Sequence, residues 1–317
     1  LYLTAIDKYG HELWRWTFLV DKLNQQTEQL SPLSSRPTYT ETENDLTVKA
    51  NKRTFIFSKK DGQLKGVSVD NRKINFANGP RFIGARRADR SLDQFYNHDD
   101  EKAKEKDRTY SEFPDAAVFT KLDVKQDGGD LIVTANYKLG NLDKAQWTIN
   151  PSGDLALDYT YNFSGVVDLM GIRFDYPEDQ VISKRWLGAG PYRVWQNRIH
   201  GTQYDVWEND YNDPIPGETF TYPEFKGYFG DVSWMNIQTK EGTISLTNET
   251  PDAYIGVYQP RDGRDRLLYT LPESGISVLN VIPPVRNKVN STDLCGPSSQ
   301  PKWVNGPQTG RVIFRFM

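Results

Sequence analysis

The sequence predicts an all-β protein built as an antiparallel sandwich of sheets. Three observations carry this. Helical periodicity is nearly absent, short apolar–polar alternations recur between turn signals, and Phe, Trp and Tyr supply 13% of the 317 residues. A period of two is what a half-buried strand needs, because successive side chains point to opposite faces. Aromatic and β-branched side chains suit that pleated surface, so the rings argue for sheet before they argue for any ligand.

Taken in order, Leu1 to Val20 reads as a hairpin-like stretch turning near Tyr9-Gly10. Asp21 to Asn44 is rich in Gln, Ser, Thr and Pro without apolar periodicity, which marks a linker and a domain boundary. Beyond it Leu46 to Ala50 and Phe55 to Phe57 read as strands, and Asp61-Gly62 forms a hairpin into Leu64 to Val69, followed by a turn at Asp70-Asn71. Strands are then expected at Leu131 to Tyr137 and Ala145 to Ile149, with Pro151-Ser152-Gly153 turning the chain into the seven-residue alternation Leu155 to Tyr161. A further pair, Val232 to Gln238 and Thr243 to Thr247, joins at Lys240-Glu241-Gly242, and Arg311 to Phe316 makes a closing strand. The charged run Asp99 to Asp107 reads as a solvated loop or a single exposed helical turn and is assigned no function.

Composition removes several function classes. Lys and Arg number 39 against 42 Asp and Glu, a formal net charge of −3 spread along the chain, so no field points at nucleic acid. The most apolar run, Ile276 to Val285, is short and holds two prolines, which predicts no membrane span. Cys295 is the single cysteine, and His11, His98 and His200 are too scattered for a metal motif; neither a metal nor a cofactor is expected. Phosphate-binding loops and the serine-hydrolase elbow are missing as patterns. The opening Leu1-Tyr2-Leu3-Thr4 has no initiator Met, so the chain is expected to be a piece of a longer protein. Its compartment stays open, periplasmic or secreted if the parent carries a signal peptide.

The sharpest patterns lie in Trp186-Leu187-Gly188-Ala189-Gly190-Pro191-Tyr192-Arg193-Val194-Trp195-Gln196-Asn197-Arg198, in Thr221-Tyr222-Pro223-Glu224-Phe225-Lys226-Gly227 and in Val232-Ser233-Trp234. This succession resembles the last domain of family 2 β-galactosidases, with its W-x-G-x-G-P stretch, its Y-x-x-P-Q-E-x-G stretch and its Val-x-Trp strand. Upstream, Phe55 to Val69 and Arg81 to Arg90 fit the family in order, and Leu1 to Val20 looks like the closing strands of a preceding immunoglobulin-like domain. The family pattern has an acidic residue where Arg193 stands, Tyr at Trp195, Asp at Asn197 and Gln at Pro223. Its late substrate-packing Trp has no counterpart here before Trp303.

The resemblance implies a galactose-mutarotase-like antiparallel β-supersandwich over residues 45–317, after an immunoglobulin-like fragment (1–20) and a linker (21–44). It implies an accessory carbohydrate-binding domain of a β-galactosidase-like glycoside hydrolase, walling the sugar pocket of a catalytic barrel that lies elsewhere in the parent, with a galactoside-like carbohydrate as partner. No catalytic residue is assigned. Trp195, Arg198 and His200 nearly alternate and, with Glu224, form the expected substrate-binding set, an aromatic platform beside hydrogen-bonding groups. The strand-end Gly188, Gly190 and Pro191 are expected to be structural. The acidic, aromatic stretch Asp205 to Pro214 is read first as a surface turn. The rival readings are a free-standing aldose-1-epimerase-like enzyme, with His200 as acid and Glu208 or Glu224 as base, and a remote carbohydrate-binding module.

Overall fold

The computed structural model describes residues 1–20, 35–87, 110–210, 227–257, 272–285 and 296–317. Among these the regular structure is strand, apart from two short 3-10 turns at Glu178–Gln180 and Pro297–Ser299. The expected antiparallel all-β architecture is what the chain adopts. No helix of the described residues is long and apolar enough to cross a membrane.

Two large sheets form the body. The nine-stranded sheet runs, in spatial order, Val118–Asp127, Asp130–Lys138, Leu142–Ile149, Leu155–Val167, Lys302–Phe316, Gly242–Asn248, Trp234–Thr239, Val181–Gly190 and Gln203–Asp210. The other runs Tyr254–Gly256, Ile276–Val281, Leu169–Asp175, Ala77–Arg87, Leu64–Val69, Arg53–Ser58, Asp45–Ala50 and Thr38–Glu41, with Arg72–Ile74 and Tyr110–Glu112 paired at its side. The closing strand is longer than the alternation Arg311 to Phe316 suggests. It spans Lys302–Phe316 and lies inside the sheet, between Leu155–Val167 and Gly242–Asn248. Within the stretch read as linker, Thr38–Glu41 pairs antiparallel with Asp45–Ala50 as an edge strand.

The alternation read from the sequence is the alternation of burial. Leu131, Val133 and Ala135 point inward from one strand, Leu155, Leu157, Tyr159 and Tyr161 from another, and all are buried. Opposite them Phe55, Phe57, Phe76 and Phe174 close the core, with Phe76 stacked on Phe174 at 4.7 Å and tilted against Phe314 at 5.0 Å. Each fully buried side chain of this size contributes about 1.5–3 kcal/mol, so this seam between the sheets dominates the fold's stability. The turn at Asp70-Asn71 has φ of 48° and 63°, the left-handed pair that a two-residue hairpin requires and that Asp and Asn tolerate.

The first twenty residues form a separate two-stranded hairpin, Tyr2–Ile6 with Glu12–Thr17. It touches the nine-stranded sheet through the Tyr2 hydroxyl on Asp205 (3.3 Å) and the Thr17 hydroxyl, which accepts the Tyr204 N–H at 2.5 Å. Pairing sets Leu3 beside Trp16 and Ala5 beside Trp14 on one face, where Leu3, Trp14 and Trp16 are all exposed.

Candidate functional site

The strand Val181–Gly190 carries the first half of the sharp motif and shows why it needs small residues. Trp186 is fully buried, edge-on to Phe229 at 4.9 Å, and its indole N–H donates to the Ala189 carbonyl at 2.9 Å. A Cβ on Gly190 would lie 2.3 Å from the Trp207 ring, so the strand end packs on that indole only as glycine. The Gly190–Pro191 peptide is cis, and the chain leaves the sheet there. The structural reading of these glycines and of the proline agrees with this packing.

The segment that follows is clipped down residue by residue. Val194 and Tyr228 exchange backbone hydrogen bonds of 2.8 Å each, at a point where a Cβ on Gly227 would meet the Val194 carbonyl at 2.3 Å. Gln196 donates through Nε2 to the Ser298 and Gln300 carbonyls, at 2.8 and 2.7 Å. Asn197 donates to the Val285 carbonyl (2.7 Å) and the Ser299 hydroxyl (2.9 Å) while its Oδ1 accepts the Val285 N–H at 2.9 Å. That combination of donor and acceptor belongs to an amide; a carboxylate at 197 would face the Val285 carbonyl with like charge. The departure from the family's aspartate therefore has a mechanical role, tying this segment to residues 285 and 299.

The predicted binding residues are separated by this clipping. Trp195 is 2% exposed and edge-on to Tyr228 at 5.6 Å, inside a second apolar cluster with Ile83, Leu169, Val194, Leu279 and Ile282. It is a core residue and offers no platform at the surface. The chain turns tightly after it, the Arg198 N–H donating to the Trp195 carbonyl at 2.8 Å. Arg198 and His200 emerge exposed beyond that turn, beside exposed Tyr192 and Ile199. Glu224, Cys295, His98 and the charged run 99–107 lie outside the described residues. The acidic stretch is in part the strand Gln203–Asp210, with Asp205 accepting the Tyr2 hydroxyl.

Sequence reasoning missed the buried charges around the second cluster. Arg193, 5% exposed, sits with its guanidinium 5.6 Å over the Phe229 ring. Asp168, fully buried, accepts the Arg87 N–H at 3.0 Å and lies 3.7 Å from the Arg87 guanidinium. An Asp ahead of an apolar strand gives no signal of burial in a sequence. Among the described residues no group of three or more His, Cys, Asp or Glu side chains is placed to hold a metal ion.

A family model described as the beta-galactosidase small chain matches residues 49–283, well over half of the chain. The chain belongs to the beta-galactosidase small-chain family. Solved structures with a similar course include a galactose 1-epimerase from Lactobacillus acidophilus, 10% identical, TM-score 0.48, over 90% of this chain and 99% of that one. An aldose epimerase homologue from C. elegans is 7% identical, TM-score 0.40, over 88% and 99%. A putative mutarotase from Salmonella typhimurium is 9% identical, TM-score 0.36, over 90% and 94%. These likenesses are loose, and the architecture stands on the sheets themselves. No curated protein matches the sequence. Membership of the small-chain family makes this a carbohydrate-related β-sandwich domain.

Proposed function

We infer that this chain is an accessory domain of a β-galactosidase-like glycoside hydrolase, packing on a catalytic barrel and helping to wall its sugar pocket. The observation that carries the reading is the match over residues 49–283 to the beta-galactosidase small-chain family. The rigid turn at 192–200 supports it. Its inner residues are fixed by hydrogen bonds and core packing, so Tyr192, Arg198, Ile199 and His200 stand on a stiff base suited to a neighbouring surface or a bound sugar. Galactosides are the expected substrates of the parent. In this reading residues 1–20 close an immunoglobulin-like domain, whose core would take the aromatic face of the hairpin.

The test uses the full-length reading frame and the isolated chain side by side. The isolated chain is expected to hydrolyse no nitrophenyl β-galactoside and not to accelerate anomer exchange of fresh α-galactose followed by optical rotation. Removing residues 1–317 from the parent is expected to abolish or sharply weaken hydrolysis. Turnover by the isolated chain that disappears in His200→Ala or Glu224→Gln would replace this reading with the epimerase-like one.

A further inference from the structure

A cleft of about 510 Å³ lies away from the motif segment, where the hairpin carrying Lys73 and the start of Ala77–Arg87 meet the end of Leu169–Asp175 and the approach to Ile276–Val281. We propose that this cleft binds a neutral, hydroxyl-rich saccharide. The choice of a sugar among polyols rests on the family reading above; the site itself rests on the geometry.

Size comes first. The volume falls within the roughly 300–1,000 Å³ of small-molecule sites. Chemistry comes second. The walls present the amides of Asn75 and Asn78, the carboxylates of Asp175, Glu178 and Glu273, and the ammonium of Lys73. A sugar hydroxyl both donates and accepts, so it pairs equally with amide, ammonium and carboxylate, which a cation or an anion does not. Charge does not select an ion here. Lys65 is held by Asp45 at 2.9 Å and Asp175 by Arg81, which leaves no single-sign field across the cleft. Pro177, exposed at the rim, adds apolar surface for the C–H face of a ring.

The third argument is preorganisation. Glu241 accepts the Asn75 backbone N–H at 2.9 Å, the Asn75 side-chain amide, and the Tyr176 hydroxyl at 3.2 Å, so one carboxylate behind the wall fixes two lining residues. Asn78 donates to Asp175 at 2.8 Å while Arg81 takes the other oxygen of that carboxylate. Arg173 holds the Glu273 carbonyl. A surface cleft formed by chance seldom has its polar lining restrained from behind, and restraint lowers the ordering cost that binding must overcome. Asn75 keeps Oδ1 outside these bonds, aimed by the two that fix the rest of the residue.

The experiment titrates methyl β-D-galactopyranoside and lactose into the 317-residue chain by calorimetry and by amide NMR, with myo-inositol and glycerol as polyol controls. The expected result is saturable binding with shifts at Lys73, Asn75, Asn78 and Ser274, weakened at least tenfold in Lys73→Ala with Glu178→Gln. Both replaced side chains are on the wall and outside the core, and the melting temperature of the double variant checks that it is folded. Binding lost in Arg198→Ala with His200→Ala but intact in the cleft variants would overturn the cleft and leave the accessory reading standing. Equal affinity for myo-inositol would overturn the saccharide class. No saturable binding by any probe would sink this proposal, while the hydrolysis assay on the parent decides the accessory reading separately.

Discussion

Replacing Trp195 by alanine tests the placement that most changes how the motif is read. The indole is 2% exposed and edge-on to Tyr228 at 87°. Truncating a buried aromatic of this size costs about 3–5 kcal/mol, of which the ring pair accounts for about 0.5–1.5 kcal/mol. The indole N–H, however, is buried and finds no hydrogen-bond partner among the described residues. An unsatisfied buried donor costs roughly 1–3 kcal/mol, and the variant is relieved of that cost. The net expectation for Trp195→Ala is therefore a loss centred on about 2 kcal/mol, within a span of about 0–4 kcal/mol. Trp195→Phe keeps a ring against Tyr228 and removes the orphan donor, so it should stay within about 1 kcal/mol of the parent. Urea unfolding with unchanged m separates these values, and on the accessory-domain reading kcat/KM of the proposed parent enzyme should move little in either variant. If Trp195→Phe unfolds as easily as Trp195→Ala, or if kcat/KM collapses at full stability, then the N–H has a partner or ligand and the core assignment is wrong.

Three further substitutions address other parts of the chain. Gly227→Ala drives a Cβ to 2.3 Å from the Val194 carbonyl, a backbone atom held by its own ladder bond, and should cost about 2–3 kcal/mol in thermal unfolding; a change under about 0.5 kcal/mol would mean the segment 192–200 moves freely. Burial pushes the Asp154 carboxyl up, but the two-pronged bond from Arg315 (2.7 and 2.8 Å), its charge and an Asn150 bond bring it below the usual range. A depressed folded pKa stabilises above the unfolded value, so Asp154→Asn should lose stability at pH 7, and the gap to the parent should close as the pH falls below about 4. Burial first, and then Asp252, raise the Asp231 carboxyl. Here the sign reverses, since the folded state holds its proton more tightly and stability falls as pH rises through the window above about 3.9. Asp231→Asn, which tolerates the left-handed φ of 49°, should gain a few tenths of a kcal/mol at pH 7 and nothing at pH 3; equal gains at both would refute the electrostatic cause.

The fold was legible because its signals are local. The turn Asp70-Asn71 and the alternation Leu155 to Tyr161 each declare themselves within a few residues, and tertiary packing reinforces what they declare. Length was less legible. Lys302–Phe316 reads as six residues because its first part, Lys302 to Gly310, buries no side chain fully and carries Gly, Pro and Asn, so its alternation of exposure is not written in apolar residues. Thr38–Glu41 was hidden for the same reason; an edge strand with all four side chains exposed has no apolar face to show.

The site was less legible than the fold, and Trp195 shows why. Near-alternation of Trp195, Arg198 and His200 suggests a shared face only if the segment is extended, whereas the chain turns at once through the Arg198 N–H to Trp195 carbonyl bond. The residues that fix that turn, Ser298, Ser299 and Val285, lie about a hundred positions away, beyond any spacing argument. The cleft is harder still, since Lys73, Asp175 and Glu273 come from three distant stretches and none sits in a motif. What binds them into one place is the sheet order, which sets Leu169–Asp175 between Ala77–Arg87 and Ile276–Val281. Strand pairing brings the ends of those three strands within reach of one small molecule, so polar residues that read as ordinary turn chemistry become neighbours across a cavity. In a sandwich of this kind the turns hold the binding chemistry and the sheets decide which turns meet.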